Sequence, residues 1–439
     1  MGDPVVVEQS LRRRTDAGRE LDRIIGAGLI TPLYQPIVSL QSLRAVAFEA
    51  LARGPHGSAL EMPAALFGAA SRHDRLSELD WACRSAAVQG AFDAEYLPPA
   101  ALFVNVEPAA AGESVPRQYE QLMARAQSGL RIVFEFTERA LTDHPGDVLR
   151  AVRVLRDLGA MIALDDVGVD PRSLALLPFL EPEVVKLDMS LVHEPHRSAT
   201  FATHQAVQAY AEDTGAIVLA EGIENQEHVD AALALGATHG QGWLFGHPSP
   251  LPHAHEWEPV ELFDARVRTV ADSHHTPFEW LAQQGAPASR ATAGHLQGLA
   301  DHLLGVAAGL GDAAVVIIAG SRDVHVPLQR RLTELAEVAA FVGVISDAPP
   351  ALHRGLRTGL TGPAESLAAE RALCILAPTY AVAVAASTPD DAGRCEVRTT
   401  HDRDNVAAVA RRLMARVAPA CEPPQTVSAS LSASASPPA

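Results

Sequence analysis

The segment MIALDDVGVDPRSL, from Met161 to Leu174, contains an apolar run that ends in two adjacent aspartates, Asp165 and Asp166. A glycine, a third aspartate and a proline follow before the apolar residues resume. Neighbouring carboxylates repel each other at neutral pH, so either solvent at a loop or a cation at a functional site must compensate for their charge. The residues that end the other apolar runs of the chain distinguish these two possibilities.

Short apolar runs alternate with helical stretches from about Thr31 to His247. The stretch HPGDVLRAVRVLRDLG has a proline near its start and a glycine at its end, and in ENQEHVDAALALG we expect Asn225 to be the N-cap and Gly236 to follow the helix. Runs that are apolar on both faces favour a parallel sheet covered by helices. The alternation therefore permits a doubly wound sheet or a (β/α)8 barrel.

Polar residues near the C-terminal ends of seven runs distinguish these folds. They are Glu49, Asn105, Glu135, Asp165 with Asp166, Lys186 with Asp188, Glu221, and Gln241. A doubly wound sheet gathers ligands mainly at one switch point, whereas a barrel brings the C-terminal end of every strand to a common rim. The pattern therefore predicts an α/β fold of the barrel type.

A second, smaller α/β (α+β) domain is expected after a proline-rich and histidine-rich linker. Its pattern includes a helix near Ala293–Gly309, strands such as AAVVIIAG and FVGVIS, and a closing helix at NVAAVARRLMARV. The last segment is a low-complexity sequence for which we predict disorder. The predicted boundaries are an N-terminal extension (1–19), the barrel (20–250), the linker (251–259), the second domain (260–418) and the tail (419–439).

Composition excludes several classes of function. The 439-residue chain is 48% hydrophobic and has a formal net charge of −18, which argues against a general binder of duplex nucleic acid. No apolar run approaches the roughly 20 residues of a membrane span, and the N-terminus does not resemble a secretion signal. The four cysteines lack CxxC spacing, so neither a zinc site nor a disulfide framework is indicated. We expect a cytoplasmic protein.

The acidic and amide residues at the predicted rim could together bind two magnesium ions, which prefer oxygen ligands. Two such ions can hold the attacking and leaving oxygens of a displacement at phosphorus. Taken singly, each residue could instead be a helix cap or a surface group, and Asp165 and Asp166 could cap the following turn. Because seven such positions recur together, we favour a functional site over capping alone.

The same residues resemble the signature motifs of the EAL-domain cyclic-di-GMP phosphodiesterases. The motifs occur in the family's order over about the first 250 residues: YQPIV, FEALAR, VNV, EFTE, ALDD, VKLD, AEGIE and QGWLF. The resemblance implies a modified TIM barrel that hydrolyses cyclic di-GMP to linear pGpG with two Mg²⁺ or Mn²⁺ ions. It also implies cyclic di-GMP as the partner molecule and a homodimer as the assembly.

The resemblance assigns a role to each motif residue. The metal ligands would be Glu49, Asn105, Glu135, Asp165 and Asp166. The catalytic residues that organise and support the attacking water would be Glu221, Lys186 and Gln241. The dinucleotide would contact Gln35, Arg53 and Asp188.

One loop departs from the family pattern. The segment usually written DDFGTGYSSL reads DDVGVDPRSL here, with the same length but with Val167, Val169, Asp170 and Pro171 in place of Phe, Thr, Gly and Tyr. In the family this loop links the metal site to the dimer interface and to the substrate. Glu138, whose counterpart braces the loop, is present. Pro171 stiffens the chain where the family has glycine and tyrosine.

The second domain resembles the DICT sensory domain in TPFEWLA, SRDVHVPLQRRLTELAEVAAFVGV and THDRD, and its signal is unknown. Three functions follow from these observations. The leading hypothesis is a phosphodiesterase regulated by this domain. The alternatives are a catalytically silent cyclic-di-GMP receptor and a barrel that serves only as an interaction scaffold. The full set of catalytic and metal-binding residue types favours the first.

Overall fold

The apolar runs of the first half form a closed eight-stranded barrel, as the sequence predicts. The computed structural model describes residues 16–96, 98–107, 110, 114–194, 196, 198–253, 262, 275–348, 350, 355–362 and 366–418. The barrel strands are β1 (Thr31–Ser39), β2 (Ala45–Arg53), β3 (Ala101–Asn105), β4 (Arg131–Thr137), β5 (Met161–Val167), β6 (Val184–Leu187), β7 (Ile217–Ala220) and β8 (His239–Gln241).

Helices follow most of these strands and cover the outside of the barrel. They are α1 (16–26), α2 (Pro63–Arg72), α3 (Leu76–Asp93), α4 (Glu120–Gly129), α5 (Glu138–Asp143), α6 (Pro145–Asp157), α7 (Leu177–Leu180), α8 (Met189–His193), α9 (Ser198–Thr214) and α10 (Gln226–Ala234). The sequence signals at two ends are confirmed, since the side chain of Asn225 caps α10 by accepting a bond from the His228 amide, and Gly236 beyond the helix has a positive φ.

The first strand departs from the parallel arrangement that the apolar runs suggested. Strand β1 is antiparallel to both of its neighbours, β2 and β8, whereas β2 to β8 run parallel. Only residues 40–44 connect β1 to β2. A parallel connection needs a crossover of a dozen or more residues, so this short link permits only an antiparallel pair.

The second half of the chain forms a seven-stranded mixed sheet, which confirms the predicted α/β (α+β) domain. The strand order is β12-β11-β10-β13-β14-β15-β9. The strands are β9 (Ala288–Thr292), β10 (Val315–Ala319), β11 (Phe341–Ser346), β12 (Leu356–Leu360), β13 (Arg371–Ala377), β14 (Tyr380–Ala386) and β15 (Arg394–Thr400). The helices are α11 (Pro277–Gln283), α12 (Ala293–Leu310), α13 (Arg322–His325), α14 (Gln329–Ala336) and α15 (Arg403–Met414).

One apolar core joins the barrel's outer layer to the C-terminal sheet. The same cluster of buried side chains contains Phe136 and Leu180 from the barrel and Phe341 and Met414 from the second half. Polar contacts border this core. Arg150 on α6 donates to the carbonyl of Ala415 at 2.7 Å. The two halves of the chain are therefore packed together over a buried surface.

Several predicted regions lie outside the described residues. These are most of the N-terminal extension, most of the linker and the whole 419–439 tail, whose predicted disorder stays a prediction. Among the helices that the structure describes, none is long and apolar enough to cross a membrane.

A substitution at Gly146 would measure how closely the two halves of the chain are packed. A Cβ at this position in α6 would lie 2.4 Å from the carbonyl oxygen of Val417. Gly146→Ala should therefore lower the free energy of unfolding by about 1–3 kcal/mol, because backbone atoms cannot yield to the clash. Gly298→Ala in α12 is the matched control. Its Cβ would meet open space, and alanine favours helix by up to about 1 kcal/mol. Thermal unfolding of both variants measures the difference, and equal melting temperatures would contradict the close fit.

Candidate active site at the barrel rim

Lys186 lies at the centre of the polar residues that end the barrel strands. Its ammonium is fully buried and contacts four carboxylates. The distances from Nζ are 2.7 Å to Glu135, 2.8 Å to Glu221, 3.0 Å to Asp165 and 3.5 Å to Glu49. These acids lie on β2, β4, β5 and just after β7, so one cation on β6 holds together groups from most of the barrel.

The carboxylates around Lys186 outnumber their cation. Burial opposes the charge on Lys186, but the surrounding acids hold its pKa well above the ordinary value. Burial and repulsion from Glu49 raise the pKa of Glu135, and burial with repulsion from Asp165 raises that of Glu221. The pKa of Asp165 is raised mainly by burial. One lysine therefore does not compensate for the cluster, and further positive charge would stabilise its ionised form.

Two amide side chains orient Glu49. The Asn105 amide donates to one carboxylate oxygen at 2.9 Å, and the Gln241 amide donates to the other at 2.7 Å. Gln241 also donates to Gln35 at 3.1 Å, and Gln35 in turn donates to the carbonyl of Gly246. These bonds help to keep the pKa of Glu49 low, although burial opposes this and Lys186 is the largest of the groups that lower it.

The backbone at Asp166 lets two adjacent aspartates reach the same site. Successive residues of a regular strand point to opposite faces. Here Asp166 has a φ of 59°, and the pairing of β5 with β6 shifts register between Leu164 and Val167. As a result, oxygens of Asp165, Asp166 and Glu221 lie within 4.8 Å of one another. This triangle of oxygens has the donor type that hard divalent cations prefer.

Glu138 braces the loop that follows the aspartate pair. Its carboxylate, almost fully buried at the start of α5, accepts bonds from the amide of Gly168 at 3.4 Å and the amide of Asp170 at 2.9 Å. Burial raises the pKa of Glu138 to about 8. Gly168 has a φ of 110°, a conformation that side chains with a Cβ rarely adopt. The loop is thus fixed through its backbone.

Two residues that are predicted to contact the substrate, Arg53 and Asp188, form hydrogen bonds with neighbouring residues of the chain. Arg53 ends β2, where its guanidinium donates to the carbonyl of Ala52 at 2.9 Å. Asp188 follows β6 and caps α8 by accepting a bond from the amide of Ser190 at 2.9 Å. Both residues lie at the rim end of their strands, and their roles toward a dinucleotide stay predictions.

His193 is a further residue at the rim, and it lies outside the motifs that the sequence brings together. Its Nε2 donates a hydrogen bond at 2.7 Å to the carbonyl of Gly222, the residue that follows Glu221 in the chain. This contact joins the end of α8 to the β7 loop and so fixes the backbone beside Glu221. No spacing in the sequence distinguishes this histidine, because the contact is made across two separate strand ends.

The raised pKa of Glu138 generates a pH prediction. Between the ordinary value of 4.5 and about 8, the folded protein keeps a proton that the unfolded chain releases. Folding stability from this group is therefore complete below about pH 4.5, falls as the pH rises toward 8 and is level above it. Glu138→Gln removes the titration.

We expect the unfolding free energy of wild type relative to Glu138→Gln to decrease across this window in urea titrations at a series of pH values. Glu227→Gln, which removes an exposed carboxylate on α10, is the control, and its free energy of unfolding should differ little from that of wild type. A difference for Glu138→Gln that stays constant with pH would contradict the raised pKa.

The barrel region is similar to known proteins. The family model described as the EAL domain matches residues 19–248, more than half of the chain. An uncharacterised protein of Sinorhizobium fredii, y4lL, is 27% identical over 56% of this chain and 30% of its own length. Two Pseudomonas aeruginosa proteins named cyclic di-GMP phosphodiesterases are also similar. RocR is 28% identical over 54% of this chain and 61% of its own, and NbdA is 30% identical over 53% and 30%.

The match therefore spans less than two thirds of the length of each of these relatives. Within this chain it takes in all eight barrel strands and the rim residues that they carry. The chain belongs to the EAL domain family.

Proposed function

We propose that the protein is a metal-dependent phosphodiesterase that hydrolyses cyclic di-GMP to linear pGpG. The observation that carries this proposal is the rim cluster in which Lys186 contacts Glu49, Glu135, Asp165 and Glu221. Membership of the EAL family and the names of the two Pseudomonas relatives support the choice of substrate. Hydrolysis adds water across one phosphodiester bond, so the phosphorus gains the water oxygen and the sugar oxygen leaves.

The residues present fit divalent cations. In the described part of the chain, Oε2 of Glu135 is buried and accepts no hydrogen bond, which leaves an oxygen available to a ligand. Asp165, Asp166 and Glu221 bring further oxygens close together. We assign the metal-binding role to Glu49, Asn105, Glu135, Asp165 and Asp166, and we infer two ions, Mg²⁺ or Mn²⁺. Such ions supply an acidified water and neutralise phosphate charge.

The protein's own side chains would then hold the reacting groups in position and accept the proton of the attacking water. Glu221, half-buried and 2.8 Å from the Lys186 ammonium, would accept a proton from the attacking water. Lys186 holds Glu221 and Asp165 in fixed relative positions. Gln241 and Asn105 keep both oxygens of Glu49 oriented. Arg53, Gln35 and Asp188 are the proposed contacts to the dinucleotide.

The C-terminal sheet is proposed to be a sensory domain, as its resemblance to the DICT domain suggests. Its extensive packing on the barrel supports a regulatory role. The assembly as a homodimer and the cytoplasmic location stay predictions.

The first test is metal dependence. Purified full-length protein incubated with cyclic di-GMP should form pGpG with Mg²⁺ or Mn²⁺ and should lose this activity in excess EDTA, because the proposed ligands are oxygen donors. Liquid chromatography of the nucleotides measures the product. Binding of cyclic di-GMP without any turnover in either metal would instead support the silent receptor.

The second test separates chemistry from binding. Glu221→Gln should lower kcat by about 10²–10⁴-fold, the usual contribution of a general base, while the Kd for cyclic di-GMP changes little. Glu227→Gln, which alters an exposed acid on α10, should keep wild-type kcat. A Glu221→Gln variant with wild-type kcat would remove Glu221 from the mechanism.

Arg53→Ala addresses the substrate. Loss of a guanidinium that pairs with a phosphate should weaken dinucleotide binding by about 10- to 100-fold. Arg44→Ala is the matched control, because Arg44 is an exposed arginine that precedes the opposite end of the same strand. Isothermal titration with cyclic di-GMP compares the two, and equal affinities would refute a phosphate contact by Arg53.

A further inference from the structure

Arg357 connects the C-terminal sheet to the barrel next to the active-site loop. It lies on β12, and its guanidinium donates to the carbonyls of Thr142 at 2.8 Å and Asp143 at 3.3 Å. It also lies 3.4 Å from the Asp143 carboxylate. The arginine side chain is only 17% exposed, so these contacts are made at a largely buried position. One guanidinium therefore holds the C-terminal end of α5.

The opposite end of α5 holds the loop after the aspartate pair. Glu138, the first residue of this helix, accepts the amides of Gly168 and Asp170. Asp166, which the proposed function makes a metal ligand, immediately precedes this part of the loop. The helix has six residues, so it is about 9 Å long. Displacing either end of so short a helix displaces the other.

The helix is also fixed to the strand that precedes it. The Thr137 side chain caps α5 by accepting the amide of Ala140, and Thr137 is paired with Asp165 between β4 and β5. Any rotation of α5 therefore acts on the two strands that carry Glu135 and Asp165. The loop and these two strand ends are therefore joined to one another through α5.

The strand that carries Arg357 is fixed in the C-terminal sheet by bonds on both of its sides. Strand β12 is parallel to β11 on one side, and on its other side the amide of Ala418 donates to the carbonyl of Thr358 at 2.8 Å. A Cβ on Gly359 would lie 2.4 Å from the carbonyl oxygen of Arg416, so the two backbone segments are in close contact on this side. The strand that carries Arg357 is therefore held on both sides within the C-terminal half of the chain.

We propose that Arg357 is a positioning residue for the active site, acting through α5 and Glu138 on the loop Val167–Leu174. The C-terminal sheet reaches the proposed metal site by this route. The effect of Arg357 on the loop follows from the contacts alone, whereas its effect on catalysis rests on the proposed function.

The experiment uses full-length protein with Arg357→Gln, Arg357→Lys and the control Arg150→Gln. Arg150 makes a bond across the same interface, but it lies on α6, and among the described residues its side chain donates hydrogen bonds to Ala415 and Asp147 and not to the loop. Hydrogen–deuterium exchange of the Gly168 and Asp170 amides is the first measurement. We expect about tenfold faster exchange in Arg357→Gln, a smaller increase in Arg357→Lys, and wild-type exchange in the control.

Steady-state kinetics with cyclic di-GMP and Mg²⁺ is the second measurement. Arg357→Gln should lower kcat about tenfold and leave KM within about twofold, because Glu138 braces the loop at Gly168 and Asp170, whereas the proposed dinucleotide contacts Gln35 and Arg53 lie on β1 and β2. In a Glu138→Gln background, Arg357→Gln should add little, since the two residues act in series. Thermal unfolding verifies folding, and if Arg357→Gln does not fold, the Arg357→Lys variant decides.

The outcomes separate the two proposals. Loop exchange equal to wild type in a folded Arg357 variant overturns the positioning role, whatever the enzyme does. Equal loss of protection in Arg357→Gln and Arg150→Gln also overturns it, because the effect would then be general loosening of the interface. A wild-type protein that fails to hydrolyse cyclic di-GMP overturns the proposed function but leaves the exchange test intact.

Discussion

The buried ammonium of Lys186 is the interaction on which the barrel rim depends. A charge removed from water is stable only when it is paired, and four acids from separate strand ends make that pairing. The carboxylate of Glu135 needs the lysine in the same way, since Glu135 is as deeply buried as Lys186. A closed barrel is the arrangement that brings these residues together, because the ends of β2, β4, β5, β6 and β7 converge on one rim. Fold and site are therefore specified by the same residues.

The altered loop is compatible with this site for a structural reason. Glu138 binds the loop through the backbone amides of Gly168 and Asp170, so the side chains that differ from the family pattern do not enter these bonds. What the loop does require is a residue tolerant of positive φ at Gly168 and an amide at position 170. Both are kept, and the proline comes one residue later. The substitutions in this loop thus leave the bracing contacts in place.

The sequence predicted the barrel and most of the site because the decisive residues recur at strand ends, where a polar group interrupts an apolar run. Glu49, Glu135 and Lys186 could be named for that reason. The two edge strands of the C-terminal sheet, β9 and β12, have no apolar run that ends in a polar residue, so the sequence does not identify them. Strand β9 is largely exposed, and LRTGL in β12 has few apolar residues. Arg357 was missed with its strand, since its importance arises only from contacts with α5 more than 200 residues earlier in the chain. The left-handed turn at Asp166 was likewise not readable, because aspartate adopts many conformations.

The shared core determines how the two halves can influence each other. Phe341 and Met414 pack in the same apolar cluster as Phe136 and Leu180, so removing the C-terminal sheet would expose barrel surface to water. A truncated barrel would therefore lose stability as well as any regulation, and point variants at the interface are the cleaner probe. Coupling across such an interface is reciprocal. If a ligand of the C-terminal sheet changes the affinity of the rim for metal or dinucleotide, occupancy of the rim must change the affinity of the sheet for that ligand by the same factor.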